Sequence, residues 1–449
     1  MRHYAWAGNR RSGPAGREND AVAGCLILRT LQRGVPPNMQ MDSIDRVAEK
    51  FELAQRHFEQ GRLIATVELL EPISRGALPC TLVASIDHLH CLAAYRLGQL
   101  GECLTRARSF LQHVDPGVES TLDQRFAVLA VAVVAAGESA RYEESLEHLT
   151  ELLGLASRLG GLSHYVRARG TAASAFLLLG DPWAAQRILS VLTTEFDRPH
   201  SEQRLETTMR CNHASLCLEL ARMAHEAGDD EAEQSAMQDA EASVTQAMRQ
   251  AVGLKDLRIV TYVQLHRAEL SLRRGEIKKA RVQLDGAAKD AEAAGLNAHW
   301  RHLQLLRAEL LLAQGDNQQA LDMLEALRQA EDANNEFSTR IRQRELEYQA
   351  LVGLGRAADA LQARLAYDKL LAYRSFRQAR AQSTLMRTRL ELEHLFKRSS
   401  EQKAFGDEPT GGGAAGAAAK TAPAGSPKGP GRAPRRSARF ASTSSRPRP

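Results

Sequence analysis

Along most of this chain, apolar residues recur every three or four positions, in runs long enough for several helical turns. That spacing gathers them on one face of an α-helix. Alternate runs are entered through a single glycine. Two consecutive copies show it best. Arg267-Ala268-Glu269-Leu270 leads to Gly275 and Ala280, and forty residues on Arg307-Ala308-Glu309-Leu310 leads to Gly315 and Ala320. Each copy reads as two helices joined by a turn at the glycine. Such a pair has an apolar face it cannot bury alone, so pairs must stack on one another.

Pairs of this kind are predicted from about residue 44 to 375. The turns fall at Gly61, Gly98, Gly137, Gly180, Gly228, Gly275, Gly315 and Gly355, which lie 37 to 48 residues apart. In the third pair Ala140 competes with Gly137 for the turn. Six of the glycines are followed five residues later by a small residue: Thr66, Cys103, Ala185, Ala280, Ala320 and Ala360. Glycine tolerates the left-handed conformation that ends a helix. A small residue in the next turn lets the two backbones approach closely. The fifth pair is irregular, with long helices on both sides of Gly228.

This arrangement of glycine and small residue, complete in Gly275-Glu276-Ile277-Lys278-Lys279-Ala280, resembles the tetratricopeptide repeat (TPR). The units here are longer than the usual period of about 34 residues, and the closing proline is mostly missing. The fold expected is all-α: a TPR-like α-solenoid of about eight helical hairpins ending in a long C-terminal helix, with disordered tails. The domain boundaries expected are a disordered or non-native extension at 1–40, the repeat array at 41–356, a long helix with coiled-coil potential at 357–398, and a disordered basic Gly/Ala/Pro/Arg-rich tail at 399–449.

The last helix carries more apolar residues than one hairpin needs. Between Ala357 and Lys397 there is no Pro or Gly, and Leu361, Leu365, Leu371, Phe376, Ala379, Met386, Leu390 and Leu395 recur at helical intervals. Unbroken, it would reach about 60 Å. Its far part, Arg374 to Lys397, must find another helix or remain exposed. A second copy is the expected partner, giving a homodimer through a parallel coiled coil.

Composition narrows the picture further. Aromatics make up 5% of the chain, and no run is long enough to suggest a membrane span; the longest apolar stretch is Phe126 to Ala136. The net charge of +5 is concentrated at the ends. Residues 399–449 hold nine Lys/Arg against three Asp/Glu, and residues 1–40 hold six against two, which leaves 41–398 at −5. Nucleic acid is therefore not the expected partner of the folded part. The six cysteines, at 25, 80, 91, 103, 211 and 217, show no disulfide-like spacing, and a cytoplasmic location is expected.

Candidate chemistry is sparse. Asp87-His88-Leu89-His90-Cys91 is the densest ligand-like cluster, and Cys211, His213 and Cys217 form another. Neither has a second ligand set at zinc-like spacing, so both read as helix packing. His299 and His302 flank Trp300 without a ligand-like neighbour. No phosphate loop, dinucleotide-binding glycine set, nucleophile elbow or HExxH occurs. No cofactor, metal or catalytic residue is expected. In the TPR family the ligand lies on the exposed stripe of the first helix of each pair, the concave face. Carried over to this chain, the resemblance implies a protein- or peptide-binding stripe through His88, Arg96, Arg167, Ser174, His266, Glu269, His302 and Glu309.

A second resemblance concerns the end of the array. A TPR array whose last helix continues through Leu370-Leu371-Ala372-Tyr373-Arg374-Ser375 into Arg389-Leu390-Glu391-Leu392-Glu393-His394-Leu395 resembles the input half of bacterial signalling proteins with a GGDEF diguanylate cyclase domain. Asp407-Glu408-Pro409-Thr410-Gly411 matches the opening of that domain, then departs: no Asn-Arg and no GGDEF signature follow. The resemblance implies a non-enzymatic sensory or regulatory module in bacterial signal transduction. The alternative is a truncated or frame-shifted cyclase that retains only its input half.

Overall fold

In the computed structural model, local backbone chemistry sets the hairpins. Gly315 takes a φ of 81°. Its N–H donates to the carbonyl of Leu312, and the N–H of Asp316 donates to Leu311. This pair of bonds satisfies the last carbonyls of the helix and reverses the chain. The same pair closes the turns at Gly61, Gly98, Gly180, Gly228, Gly275 and Gly355.

The structure describes residues 41–406 except 77, 196–202, 255–256, 294–296 and 330–336. The expected N-terminal extension and most of the expected tail lie outside these. Seventeen α-helices, and no strand, occur among the described residues. Eight hairpins account for sixteen of them: α1 (Met41–Glu59) with α2 (Leu63–Leu70), α3 (Cys80–Arg96) with α4 (Leu100–His113), α5 (Leu122–Glu138) with α6 (Tyr142–Leu159), α7 (Leu162–Leu178) with α8 (Pro182–Glu195), α9 (Gln203–Ala227) with α10 (Asp230–Leu254), α11 (Leu257–Arg273) with α12 (Ile277–Ala293), α13 (Asn297–Ala313) with α14 (Asn317–Gln329), and α15 (Phe337–Gly353) with α16 (Ala357–Arg380). α17 spans Gln382–Gly406. Of the described residues, those up to Lys403 belong to one compact unit and 404–406 to a second. The first helix of each hairpin packs on the first helix of the next, so these helices form one continuous layer.

The third turn is made by Ala140, not Gly137. Ala140 has a φ of 56°, and its N–H donates to Gly137 while that of Arg141 donates to Ala136. Ser145, five residues on, then takes the small-residue position: it is buried, and its hydroxyl donates to the carbonyl of Val133 at 2.7 Å. Gly137 serves a different purpose. It lies within α5, where a Cβ would come within 2.8 Å of Leu178 Cδ1 on α7. Its missing side chain lets two first helices meet. The segment Glu119–Glu138, which contains α5, is long and apolar enough to cross a membrane, but most of it is buried inside the fold. Its apolarity is accounted for by neighbouring helices.

The array does not remain open. Ser338, at the start of α15, donates to Glu138 at the end of α5, 200 residues earlier. Gln378 on α16 donates to the carbonyl of Leu179. On α17, Thr388 meets Thr150 of α6 at 2.8 Å, and Arg389 pairs with Asp181 at 2.7 Å. Phe337, Ile341, Ala381, Leu385, Leu392 and Leu395 share one apolar core with the first four hairpins. The C-terminal helices are thus seated on hairpins three and four.

This corrects the expected single helix over 357–397. The run is two helices, broken at Ala381, which is fully buried, and helical hydrogen bonding resumes from Leu385 to Ala381. The residues just beyond the break, Gln382-Ser383-Thr384, include two hydroxyl side chains that compete for backbone groups. α17 also runs past the expected boundary at 398, to Gly406. The far part of the run did need another helix, but its own chain supplies one. The reason for expecting a second copy there is therefore removed.

Candidate peptide-binding site

Four first helices and one second helix converge on a single cavity of about 110 Å³. Each first helix contributes side chains three or four residues apart. α9 brings Glu219 and Arg222; α11 brings Glu269 and Arg273; α13 brings His302, Leu305, Leu306 and Glu309; α15 brings Ser338, Thr339, Ile341, Arg342 and Glu345. Tyr367, Leu371 and Arg374 of α16 complete the wall. The spacing follows from helical geometry, since residues i, i+3 and i+7 share one face.

The charges in the wall are organised unequally. Arg342 is clamped by Glu309 (Nη2 to Oε1, 2.7 Å) and Glu345 (Nη1 to Oε2, 2.6 Å). Burial opposes its charge, but the two carboxylates outweigh this and raise its pKa. Arg222 is held by Glu219 at 2.6 Å and by Glu226, and its pKa rises through the Glu219 hydrogen bond. Arg273 is less committed. It stands 3.8 Å from Glu269, and its buried Nε has no hydrogen-bond partner. Arg374 has no ion pair among the described residues.

Two turns nearer the start of α9 than Glu219 lies Asn212. It is 2% exposed, yet neither its amide nitrogen nor its oxygen has a partner among the described residues. Buried carboxamides are normally satisfied. Thr261 on α11 is likewise buried, with an unpartnered hydroxyl. Between these and the cavity, Ser215 bonds His266 Nε2 at 3.0 Å and Tyr262 at 3.3 Å. The face thus offers donors and acceptors in both neutral and charged form, the set a peptide backbone with side chains requires.

The eight residues expected on the binding stripe divide in two. Glu269, His302 and Glu309 line the cavity, and His266 lies behind them, fully buried, with its ring 6.3 Å from that of His302. The other four sit elsewhere. His88 faces its own second helix, with its ring 5.9 Å from Phe110, and burial lowers its pKa to about 4. Arg96 lies 4.1 Å over the Phe58 ring of the preceding hairpin. Ser174 is buried and donates to the carbonyl of Gly170, and Arg167 is partly exposed on α7. Among the polar residues on this face that were not foreseen are Asn212, Glu219 and Arg222 on α9, Arg273 on α11, Arg342 and Glu345 on α15, and Tyr367 and Arg374 on α16.

The ligand-like clusters are engaged in packing. His90 bonds Arg75 Nη2 at 3.3 Å, and Cys91 Sγ lies 3.6 Å from Cys103 Sγ, both thiols fully buried. His213 bonds Ser243 at 2.8 Å, and burial pushes the Cys217 thiol up to about 12. The side chain of His299 lies outside the described set, as do residues 407–411 that carry the likeness to a cyclase domain.

No known family profile matches this chain, and no curated protein matches it. Among solved structures it is similar to a Rap protein complexed with competence and sporulation factor, with a TM-score of 0.54, 11% identity, and coverage of 80% of this chain and 94% of that one. The fold is that of a TPR-type helical array. Two further structures are less similar. The apo quorum sensor NprR from B. thuringiensis gives a TM-score of 0.48 at 10% identity over 80% of this chain and 94% of its own. Apo RapI gives 0.42 at 13% identity over 67% and 99%. At these identities the TPR-type array shares its fold with the first of them, and its site must be argued from its own residues.

Proposed function

We propose that this TPR-type array is a non-catalytic peptide-binding scaffold, serving as the sensory or regulatory module of a signalling protein. The observation that carries this reading is the cavity between α9, α11, α13, α15 and α16, with the unpartnered carboxamide of Asn212 two turns before Glu219 on α9. A peptide backbone needs one donor and one acceptor at a fixed separation, and a side-chain amide supplies both. Arg273 and Arg374 offer charge to a carboxylate of the ligand. The Rap protein of like fold was solved holding competence and sporulation factor, which supports a ligand-binding use of such an array. The wall is shared with α16, whose next element is the clasp helix α17, so a ligand that moves Tyr367 or Arg374 would alter how α17 is seated. The likeness to a cyclase input module rests on the helical run from Leu370 to Leu395, which here is seated on hairpins three and four, and on residues 407–411 outside the described set; no structural observation favours it.

The test is affinity selection of a pooled synthetic hexapeptide library on the full chain, read by mass spectrometry. Enriched sequences should bind the wild-type chain and lose about tenfold or more with Asn212→Ala or Arg273→Gln, the effect of deleting one hydrogen-bonded or charged anchor. No enrichment, or enrichment that both variants retain in full, would count against this site.

A further inference from the structure

The helices that clasp the array are apolar on two sides. The inward side is spent on hairpins three and four. The outward side runs through Leu361, Leu365, Phe376, Met386 and Leu390, each between 45% and 59% exposed, and its apolar spacing is interrupted between residues 365 and 372, where Asp368 and Lys369 stand. Ala372, Ala379 and Ser383 occupy intervening positions of the same stripe and are also exposed. Exposed positions of the stripe continue on both sides of the break at Ala381. From Leu361 to Leu390 it is about 44 Å long at the helical rise.

Alternation of large and small residues at this spacing leaves holes between knobs, the surface another helix fits. It suits a lipid surface poorly, because membrane affinity grows with apolar area and three positions contribute almost none. Charge then selects among helices. One border of the stripe carries Lys369, Arg380 and Arg387. Arg380 leans on Glu143 at 3.4 Å, while Lys369 and Arg387 make no ion pair among the described residues. The opposite border is balanced, with Arg364 paired to Asp368 at 3.1 Å. A second copy does not supply what is missing. Antiparallel pairing sets the basic border against itself. Parallel pairing sets it against Arg364, Ser375 and Gln382, and Asp368 is already paired.

We propose that the outward stripe of α16 and α17 is a docking surface for an amphipathic helix of another protein whose apolar face is bordered by Asp or Glu. This surface is separate from the cavity and does not depend on a peptide being bound there.

The test uses the full chain and two fluorescein-labelled peptides about four heptads long, with Leu at a and d. One has Glu at e and g; its twin has Lys. Fluorescence polarisation should show the Glu peptide binding at least about tenfold more tightly than the Lys peptide, the scale of two or three border charges. Phe376→Glu with Leu390→Glu should abolish binding. Lys369→Glu with Arg387→Glu should reverse the preference toward the Lys peptide. All four side chains are exposed, so the thermal melting curves of these variants should match wild type. Equal binding of both peptides, binding of neither, or binding unaffected by Phe376→Glu with Leu390→Glu would overturn the proposal. So would sedimentation of the chain as a dimer that this same pair of substitutions dissolves, or capture by anionic phospholipid vesicles in preference to the Glu peptide.

Discussion

Replacing Leu395 by alanine should loosen α17 from the array without unfolding the rest. Leu395 is fully buried and lies in the core shared with the first four hairpins. A leucine truncated in such a setting costs about 2–5 kcal/mol, the transfer term plus the cavity left behind. A loss of about 3 kcal/mol multiplies the open population about 150-fold. The effect is local, because α17 is the last element among the described residues, and no later one of these packs on it. Hydrogen exchange followed by mass spectrometry is the direct assay. In Leu395→Ala, amides of α17 should exchange about a hundredfold faster, while those of α5 keep their protection. Leu390→Ala is the matched control: the residue is 59% exposed and should change exchange by no more than about twofold, the usual limit for a surface site. Equal effects of the two substitutions, or unchanged exchange of α17 in Leu395→Ala, would refute the assignment of the inward and outward faces.

Two further outcomes test the array itself. Burial holds His88 and His90 neutral, with pKa values of about 4 against an ordinary value of 6.5. The unfolded chain therefore binds more protons between about pH 4 and 6.5, and stability should fall as pH drops through that window, by at most about 1.4 kcal/mol per pH unit for each histidine. Urea midpoints at pH 7 and pH 5 measure this, and His88→Gln with His90→Gln should flatten the difference. Gly315→Ala should cost about 1 kcal/mol in a urea titration from backbone strain alone, because its φ is 81° and a Cβ there meets nothing within 4 Å.

The hairpins were legible because their causes are local. A positive-φ glycine and a small residue five positions later need only a few neighbours, and the spacing shows both. The exception, Ala140, marks the limit: an alanine in the left-handed region has no signature of its own, and Gly137 nearby imitated the turn while serving a helix crossing. The site was half legible. Glu269, His302 and Glu309 lie on hairpins whose repeat pattern is clear, so the stripe could be placed on them. Asn212, Glu219 and Arg222 lie on α9 of the irregular fifth hairpin, where no repeat fixed the register. His88 and Arg96 show the opposite error, because a residue one position off on a helix turns by about 100° and faces another neighbour. Arg374 could not be foreseen as a wall residue, since it enters the cavity only because the array curls back on hairpins three and four. The same closure sorted the apolar residues of 357–397. Read along the sequence they form one set; in the fold they are two faces with different partners.

Repeat arrays usually grow and shrink by whole units, because each unit touches only its neighbours and one more or fewer leaves those contacts intact. Here Ser338 donates to Glu138 across four intervening hairpins, and Thr150 meets Thr388 across five. Adding or removing one of those hairpins would swing α17 away from its seat by a full repeat. The count between the two ends is therefore fixed by fit, and such an array can change its ligands by substitution along the first helices but not by duplication or loss of a unit. A deletion of residues 257–296, one whole hairpin, would leave every remaining turn signal in place and still cost the protein its clasp.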